Sequence, residues 1–323
     1  MQTDSTYTWE CDQQLEGFET TRLLSGDFQA TLIRADNNPP TPQRAVLYIH
    51  GFTDYFFQAH LAAAYQAAGY AFYAIDLHGY GRSLKPTDKP NFCRHITDYY
   101  PELDAAIGLI KATGVEQLVV NGHSTGGLIA SLYAHEGQQG KAIDALFLNS
   151  PFFAFPLYRL EKILLAGAIA IGRLFPYLAV QRRIPSLYAQ TLLREFRGQW
   201  QYNTELKPPE GFALYTGWIR AIVKAQQRLQ RGLKLHCPVL VMHSARSLRT
   251  LQWTDEVMGA DIVLDVKDMR RYGPGLGEQV ELIAIENGLH DLVLSAPAVR
   301  EVIFQQLFAW LDRALEPSTL ARE

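Results

Sequence analysis

A serine stands in a glycine-rich turn near the middle of the chain, Asn121-Gly122-His123-Ser124-Thr125-Gly126-Gly127. The apolar, β-branched residues Gln117 to Val120 predict a buried strand before it, and Leu128 to Ala134 predict a helix after it. Such a turn strains the serine backbone and exposes its hydroxyl, and flanking glycines avoid collision with neighbouring backbone. The pattern predicts that Ser124 is a nucleophile; the alternative is a glycine-rich connector in another α/β sheet.

A serine hydroxyl needs a base that takes its proton and an acid that orients the base. In enzymes built on this turn, the acid and then the histidine follow the serine along the chain. Four histidines follow Ser124: His135, His236, His243 and His290. The first should point away on the nucleophile helix, and no strand with an acid precedes the next two. His290 follows the last predicted strand, so we predict it to be the base rather than a hydrogen-bonded structural histidine.

Several carboxylates between the last two predicted strands compete for the role of acid. Asp261 lies in Gly259-Ala260-Asp261-Ile262-Val263, a pattern of small residues suited to a tight loop that aims a carboxylate inward. Asp265 and Asp268 fall at the start of a predicted helix, where the charge of the helix N-terminus explains them. We predict Asp261 as the acid, with Asp265 and Asp255 as the alternatives.

A serine that attacks a carbonyl also needs hydrogen-bond donors fixed around the developing oxyanion. The backbone N–H of Thr125, the residue after the nucleophile, is one predicted donor. The other should come from the loop after the strand that ends at His50, where Phe52 is the natural candidate. Backbone donors leave little mark on a sequence, so both predictions rest on position alone.

Eight segments predict the strands that must hold these residues. The first two are joined by Ser25-Gly26-Asp27 as an antiparallel hairpin at the sheet edge. The others alternate with helices, among them about Tyr55 to Ala68, and are solid apolar runs, which is typical of a parallel sheet covered on both faces. We expect an α/β fold with a mostly parallel eight-stranded sheet, its strands at Phe18–Leu24, Phe28–Arg34, Ala45–His50, Tyr70–Ile75, Gln117–Val120, Ala145–Asn149, Cys237–His243 and Val280–Ile285.

The alternation stops over residues 152–232, where aromatic and aliphatic residues at helical spacing are interrupted by prolines. This segment predicts a cap of several short helices inserted in a core domain formed by residues 1–151 and 233–323. Its apolar run from Ile163 to Gly172 is too short for the roughly 20 residues of a membrane span. The run predicts either a helix packed on the core or an exposed surface that contacts lipid or lines a route for acyl chains. The cap holds 12 Lys or Arg against 4 Asp or Glu, so a basic cap covers an acidic core.

The composition of the 323-residue chain is ordinary for a globular enzyme, and its net charge of −3 argues against a nucleic-acid binder. Cys11, Cys93 and Cys237 are odd in number and scattered, which predicts neither disulfides nor a metal site, and we expect no cofactor. With no visible signal peptide in the sequence given, we expect a reducing, cytoplasmic location.

Four motifs together resemble one branch of the α/β-hydrolases, that of the monoacylglycerol lipases, lysophospholipases and serine aminopeptidases. They are His50-Gly51-Phe52, Asp76-Leu77-His78-Gly79-Tyr80-Gly81-Arg82-Ser83, Gly122-His123-Ser124-Thr125-Gly126-Gly127 and Leu289-His290. The resemblance covers about Arg44 to Leu311 and implies the α/β-hydrolase fold with Ser124 as nucleophile, His290 as base, and the Phe52 and Thr125 amides as oxyanion hole. The acid of this family lies about thirty residues before the histidine, which favours Asp261. The stretch Ser244 to Met258 departs from the family by separating strand and acid unusually far.

We therefore expect a serine carboxylic-ester hydrolase with an acyl-enzyme intermediate. Its substrate should be an ester of a lipid-like acyl group, such as a monoacylglycerol, a lysophospholipid or a short-chain ester. The alternatives are a serine aminopeptidase, which the scarcity of acids in the cap disfavours, and a hydrolase-fold protein that only binds a ligand. The sequence leaves the oligomeric state open. The apolar cap residues that favour a lipid-like substrate are Phe152, Phe153, Phe155, Leu157, Ile163 and Leu164.

Overall fold

The computed structural model describes residues 7–25, 28–156, 159–180 and 186–316. Their strands form a nine-stranded sheet, in the order β1-β2-β3-β5-β4-β6-β7-β10-β11, and a separate two-stranded ribbon, β8-β9. The strands are β1 (Glu10–Cys11), β2 (Phe18–Ser25), β3 (Phe28–Ala35), β4 (Arg44–Ile49), β5 (Tyr70–Asp76), β6 (Gln117–His123), β7 (Ala145–Asn149), β8 (Ala179–Val180), β9 (Leu214–Tyr215), β10 (Val239–Ser244) and β11 (Val280–Ile285).

The six strands from β5 to β11 in the sheet are parallel, and β1, β2 and β3 are antiparallel to their neighbours. The predicted α/β-hydrolase fold and mostly parallel sheet are therefore confirmed. The predicted count of eight strands was one too low, because the two-residue β1 adds to the edge beyond the hairpin. Gly26 and Asp27 of the predicted hairpin turn lie outside the described residues.

Helices cover both faces of this sheet. The helices are α1 (Ala59–Ala67), α2 (Tyr100–Ala112), α3 (Thr125–Glu136), α4 (Arg159–Leu174), α5 (Leu187–Leu192), α6 (Thr216–Leu229), α7 (Val266–Tyr272) and α8 (Pro297–Leu315). Residues of α1 and α8 pack on one face of the sheet, and residues of α2, α3 and α6 pack on the other. The central strands β4, β5, β6, β7 and β10 are buried almost throughout, which explains their continuous apolar sequences.

The predicted start of the first helix near Tyr55 was wrong, since α1 begins at Ala59. The preceding residues form a loop whose amides bond side chains instead of helical carbonyls. Phe56 N–H donates to Asp76 Oδ1 (2.9 Å), and Phe57 N–H donates to Gln58 Oε1 (3.0 Å). Long-range polar contacts therefore shorten the helix and leave an irregular loop between β4 and α1.

The elements between β7 and β10 correspond to the segment predicted as the cap, whose boundaries stay a prediction. They are α4, α5, α6 and the β8-β9 ribbon, so this region contains two helices longer than the short ones expected. In α4, Ile163, Leu164 and Leu174 are exposed, whereas α6 is largely buried. Leu157 of the predicted apolar cap surface lies outside the described residues. Within the described ranges, we find no helix with the length and apolar character that crossing a membrane requires.

Candidate active site

Ser124 occupies the sharp turn between β6 and α3. Its backbone has φ of +52°, a left-handed conformation that a serine rarely adopts. A Cβ at Gly122 would lie 2.7 Å from the Gly126 carbonyl oxygen, and one at Gly126 would overlap the carbonyl of Ile49. Both glycines are therefore required by close backbone approach, as the sequence predicted.

Two hydrogen bonds connect Ser124, His290 and Asp261. Nε2 of His290 lies 3.0 Å from Ser124 Oγ, and Nδ1 lies 2.9 Å from Asp261 Oδ2. With Nδ1–H donated to the carboxylate, Nε2 is free to accept the serine proton. The other carboxylate oxygen, Asp261 Oδ1, accepts the amides of Val263 and Leu264, both at 2.8 Å. The arrangement can take a proton from Ser124 and stabilise the resulting imidazolium.

The two alternative acids lie elsewhere. Asp265 is the N-cap of α7 and accepts the Lys267 amide at 3.0 Å. Asp255 begins a 3₁₀ turn and is exposed. Of the three candidates, Asp261 is the one whose carboxylate contacts His290.

The other histidines after the nucleophile have different surroundings. His135 is exposed near the end of α3, and His236 Nε2 lies 3.1 Å from the Ile143 carbonyl oxygen. His243 is buried at the end of β10, with Nδ1 2.7 Å from the Ser244 carbonyl oxygen. None of these contacts includes Ser124.

The loop after β4 runs beside the nucleophile. A Cβ at Gly51 would lie 3.2 Å from the Ser124 Cβ, so a side chain there would collide with the turn at Ser124, which we call the elbow. His50 holds the start of this loop, since its Nδ1–H donates to the Gly51 carbonyl (2.8 Å) and its Nε2 accepts the Leu77 amide (3.1 Å). Phe52 follows directly, and Thr125 is the first residue of α3. The backbone amides of these two residues are thus carried by the two segments that border Ser124.

A polar network that the sequence did not predict lies behind the nucleophile. Asn149, at the end of β7, accepts the Ser124 amide on its carbonyl (3.0 Å) and donates its side-chain amide to Asp291 Oδ1 (2.7 Å). Asn149 Oδ1 also accepts the Leu292 amide at 3.2 Å. One strand end therefore fixes both the elbow and the loop that carries His290. The position of Asp291 next to the predicted base was the available signal.

A second set of buried charges lies beside this network. Lys207 Nζ is 2.5 Å from Asp54 Oδ1, and His123 Nδ1 is 3.4 Å from Asp54 Oδ2 and 4.0 Å from Asp291 Oδ2. Burial opposes ionisation of Asp54, yet the charge of Lys207 and the contact with His123 hold the pKa of this carboxyl well below its usual range. Burial likewise opposes protonation of His123, but the charges of Asp291 and Asp54 raise its pKa above the usual imidazole value.

These three side chains also form a set of potential metal ligands. Asp54, His123 and Asp291 each offer one ligand atom, and the atoms lie within 4.8 Å of one another. The ammonium of Lys207 already pairs with the Asp54 carboxylate. A protonated His123 would add a second positive charge between the carboxylates of Asp54 and Asp291. With His123 protonated, these two positive charges would equal the two negative charges of Asp54 and Asp291.

The unusual stretch Ser244 to Met258 supports Asp261 directly. Arg246 carbonyl accepts the Asp261 amide (3.0 Å), and the Asp261 carbonyl accepts the Leu248 amide (2.9 Å). Farther along, Arg249 donates to the Pro156 carbonyl (3.2 Å) and pairs with Glu161 of α4. The stretch thus runs from β10 to Pro156 and α4 and returns alongside the predicted acid.

Comparison with known proteins identifies a family and several relatives. The Hydrolase_4 family model, described as serine aminopeptidase, S33, matches residues 40–247, a range that includes Ser124 but ends before Asp261 and His290. A monoacylglycerol lipase from Mycolicibacterium smegmatis is 28% identical over 207 residues, which cover 62% of this chain and 69% of that protein.

Solved structures share the architecture at lower identity. A soluble variant of monoglyceride lipase from Saccharomyces cerevisiae is 17% identical and aligns over 96% of this chain and 99% of its own, with a TM-score of 0.68. The monoacylglycerol lipase of Paleococcus ferrophilus is 19% identical, covers 85% and 96%, and has a TM-score of 0.61. At these identities the likeness establishes the fold alone. Since the family model matches more than half of the chain, this protein belongs to the α/β-hydrolase family described as serine aminopeptidase, S33.

Proposed function

We propose that this protein hydrolyses carboxylic esters of apolar acyl groups through an acyl-enzyme on Ser124. The observation that carries the proposal is the pair of hydrogen bonds from Ser124 Oγ to His290 (3.0 Å) and from His290 to Asp261 (2.9 Å). This is the arrangement that activates a serine hydroxyl in unrelated hydrolases. We assign Ser124 as nucleophile, His290 as general base and Asp261 as the acid that orients it.

In the first step, Ser124 Oγ bonds to the ester carbonyl carbon while His290 Nε2 takes the hydroxyl proton. The carbonyl oxygen becomes an oxyanion, and the Phe52 and Thr125 amides donate to it. The carbon–oxygen bond to the alcohol then breaks, and His290 gives its proton to the leaving alkoxide. Asp261 stabilises the imidazolium throughout, because its carboxylate accepts the Nδ1–H.

In the second step, water attacks the acyl-Ser124 ester. His290 takes a proton from the water, the same two amides hold the second oxyanion, and the acyl–oxygen bond to Ser124 breaks. The carboxylic acid leaves and Ser124 regains its proton from His290. His290 accepts or donates the proton in each of these transfers.

Aromatic side chains beside the oxyanion loop support an apolar acyl group. The rings of Phe52 and Trp218 lie 4.1 Å apart between centroids, and Phe155 stacks edge-on against Phe152 at 4.8 Å. The names of the similar proteins, a monoacylglycerol lipase and a monoglyceride lipase, point to the same substrate class. We propose monoacylglycerols, lysophospholipids or short-chain esters as substrates.

The serine aminopeptidase alternative has the family description in its favour. A peptidase of that kind needs a carboxylate to bind the substrate ammonium. Asp261 contacts His290, and the two buried carboxylates beside His123 are also engaged, since Asp54 pairs with Lys207, and Asp291 accepts bonds from Asn149 and Gln58. Their engagement favours an ester, and comparing aminoacyl-anilide with acyl-ester turnover separates the two activities.

We also propose that the exposed face of α4 contacts a lipid surface. Its exposed apolar side chains share the helix with Arg173, an exposed basic residue in the last turn that is suited to anionic headgroups. The free thiols Cys11, Cys93 and Cys237 support a reducing location such as the cytoplasm.

The direct test compares the wild-type protein with Ser124→Ala on p-nitrophenyl esters of increasing acyl length. The wild type should turn over these esters, and Ser124→Ala should reduce kcat by about 10⁴-fold or more. A fluorophosphonate probe should add to Ser124 of the wild type alone, as detected by intact mass. Wild-type protein that neither reacts with the probe nor cleaves any ester would support the ligand-binding alternative, and full activity in folded Ser124→Ala would refute the proposal.

A further inference from the structure

Lys207 is a buried lysine of the segment between α5 and α6. Its exposure is 7%, and its ammonium lies 2.5 Å from Asp54 Oδ1 and 4.9 Å and 5.3 Å from the rings of Phe57 and Tyr202. Lysine and aspartate are almost never buried this deeply unless they are paired. The pair joins residues 153 positions apart in sequence, one after β4 and one in the predicted cap.

The loop that Lys207 reaches is the one that carries the Phe52 amide. It has no regular secondary structure between β4 and α1, so its own backbone pattern does not fix it. Thr53, directly after Phe52, has φ of +50°, which is unfavourable for a β-branched residue. Its amide and hydroxyl both bond Asn91 Oδ1, at 3.1 Å and 3.2 Å. The conformation next to the oxyanion donor is therefore held by contacts from outside the loop.

Three consecutive residues after Phe52 are bound by the segment around Lys207. Thr53 Oγ1 accepts the Phe212 amide (3.4 Å), Asp54 binds Lys207, and Tyr55 Oη accepts the Asn203 amide (2.8 Å). The middle contact is the charged one and the shortest. It is therefore the contact best able to fix the direction of the loop.

We propose that Lys207 is a positioning residue for the oxyanion hole: its bond to Asp54 fixes the loop so that the Phe52 amide faces the Ser124 substrate carbonyl. This inference rests on the proposed function and adds to it a part for the segment between α5 and α6. An amide has no rotatable group of its own, so only the backbone around it can aim it. An oxyanion donor acts at about 2.7 to 3.1 Å, and a small shift of the loop removes most of its effect.

The test is the Lys207→Met variant, which keeps the aliphatic stem and removes the charge. Loss of one oxyanion donor lowers kcat by about 10²- to 10³-fold, and we expect a fall of about 100-fold on a soluble p-nitrophenyl ester. The KM should change by less than about threefold, because the oxyanion forms only during reaction. Lys207→Arg should recover most of the activity, and Lys224→Met, on the exposed face of α6, should behave as wild type.

Lys207→Met leaves the Asp54 carboxylate buried without its partner, which could prevent folding. The double variant Asp54→Asn/Lys207→Met removes both charges and is expected to fold, as checked by circular dichroism. If Lys207 positions the loop, kcat of the double variant stays low. If Lys207 merely neutralises a buried charge, the double variant regains wild-type kcat, and this inference is overturned.

The fluorophosphonate probe separates this inference from the proposed function. Wild-type protein that is labelled and active, together with Lys207 variants of unchanged kcat, would refute the positioning role while the proposed function stands. Wild-type protein that is neither labelled nor active would refute both. A lowered kcat in Lys207→Met and in the double variant, with rescue by arginine, supports both.

Discussion

Asp261 is the residue that orients the imidazole of the predicted base, His290. Its two carboxylate oxygens have different partners. Oδ2 accepts the Nδ1–H of His290 at 2.9 Å, and Oδ1 accepts the Val263 and Leu264 amides at 2.8 Å. The two backbone bonds fix the carboxylate plane, so the side chain cannot rotate away from the imidazole. A neutral amide in its place could keep the volume but would offer an N–H or a weaker acceptor to Nδ1.

We therefore predict that Asp261→Asn lowers kcat for ester hydrolysis by about 10⁴-fold, the size seen when a triad acid is replaced by its amide. The matched variant is Asp265→Ala, which removes the N-cap of α7. It should keep wild-type kcat and lose about 1 kcal/mol of unfolding free energy. Steady-state kinetics and urea unfolding measure the two effects. A comparable loss of kcat in Asp265→Ala would contradict the assignment of the acid.

At this scale, predictability from the sequence depends on how local the signal is. The prediction of Ser124 as nucleophile rests on the glycines around it, which report a backbone constraint within a few residues. The prediction of His290 as base rests on its place after the last strand. Asp261 needed both a loop pattern and the family spacing, because several carboxylates share the same segment. Lys207 had no local signal, since its partner lies 153 residues earlier and was itself not singled out.

At the scale of elements, the segment between β7 and β10 has two parts with different surroundings. The later part packs on the catalytic loops: Tyr188 Oη accepts the Asp291 amide (3.1 Å), and Trp200 Nε1–H donates to the Leu294 carbonyl (2.7 Å). Together with Tyr55 and Leu289, these residues form a small core of their own. The earlier part, α4, packs on α6 but leaves apolar side chains in solvent. The later part supports the site, and α4 is available to a partner surface.

The exposed face of α4 gives a prediction about lipid contact. Ile163, Leu164 and Leu174 are 68%, 69% and 73% exposed. Burying one such side chain contributes about 1.5 to 3 kcal/mol. Replacing all three by serine should therefore reduce partition onto anionic phospholipid vesicles at least about tenfold and leave kcat on a soluble ester unchanged. Co-sedimentation with vesicles and a parallel ester assay measure the two quantities.

The control for that experiment is Leu24→Ser on β2, an equally exposed leucine far from the cap in sequence (72% exposed). Its partition should match the wild type. Equal partition of the triple variant and the wild type would show that lipid contact, if any occurs, uses another surface.

The sequence predicts an element well when a pattern of buried residues repeats along it. It predicts an element less well when one specific contact sets where the element begins or ends. The parallel strands were recognisable because burial on both faces demands continuous apolar residues. The start of α1 was misplaced because Phe56 bonds Asp76, twenty residues away, instead of continuing a helix. The short strand β1 was missed for a related reason: two exposed residues, Glu10 and Cys11, pair with β2 without any apolar pattern.

On the scale of the whole molecule, the fold gathers residues that are far apart in the chain. Ser124 and His290 are 166 positions apart, yet their side chains lie within hydrogen-bond distance. Ser124 follows β6 and His290 follows β11, and both lie at the carboxyl ends of the parallel strands, where the loops of an open α/β sheet meet. Because these loops converge, several titratable side chains are buried around Ser124. Among these groups, the pKa of Asp54 is lowered and the pKa of His123 is raised in the folded protein.

Buried histidines make the stability of the molecule depend on pH in two opposite directions. Burial lowers the pKa of His50 and His243, so each is less readily protonated in the folded state than in the unfolded state. Their contribution is lost as pH falls below the usual imidazole value of about 6.5. His123 is opposite, because Asp291 and Asp54 outweigh burial and raise its pKa. Its contribution is complete below pH 6.5 and is lost as pH rises through the folded pKa.

Comparing variants isolates each contribution from the rest of the molecule. We predict that the difference in unfolding free energy between wild type and His123→Gln shrinks as pH rises above about 6.5 and through the raised pKa of folded His123, because the imidazolium beside Asp54 and Asp291 then loses its proton. For His243→Gln, the unfolding free energy of the wild type should instead fall relative to that of the variant as pH drops below about 6.5. The reason is that only the wild type has a histidine at this position that binds a proton on unfolding. Urea unfolding at several pH values measures both. A difference for His123→Gln that does not change with pH would mean that the pKa of His123 is the same in the folded and unfolded proteins, and that Asp54 and Asp291 do not favour its protonation.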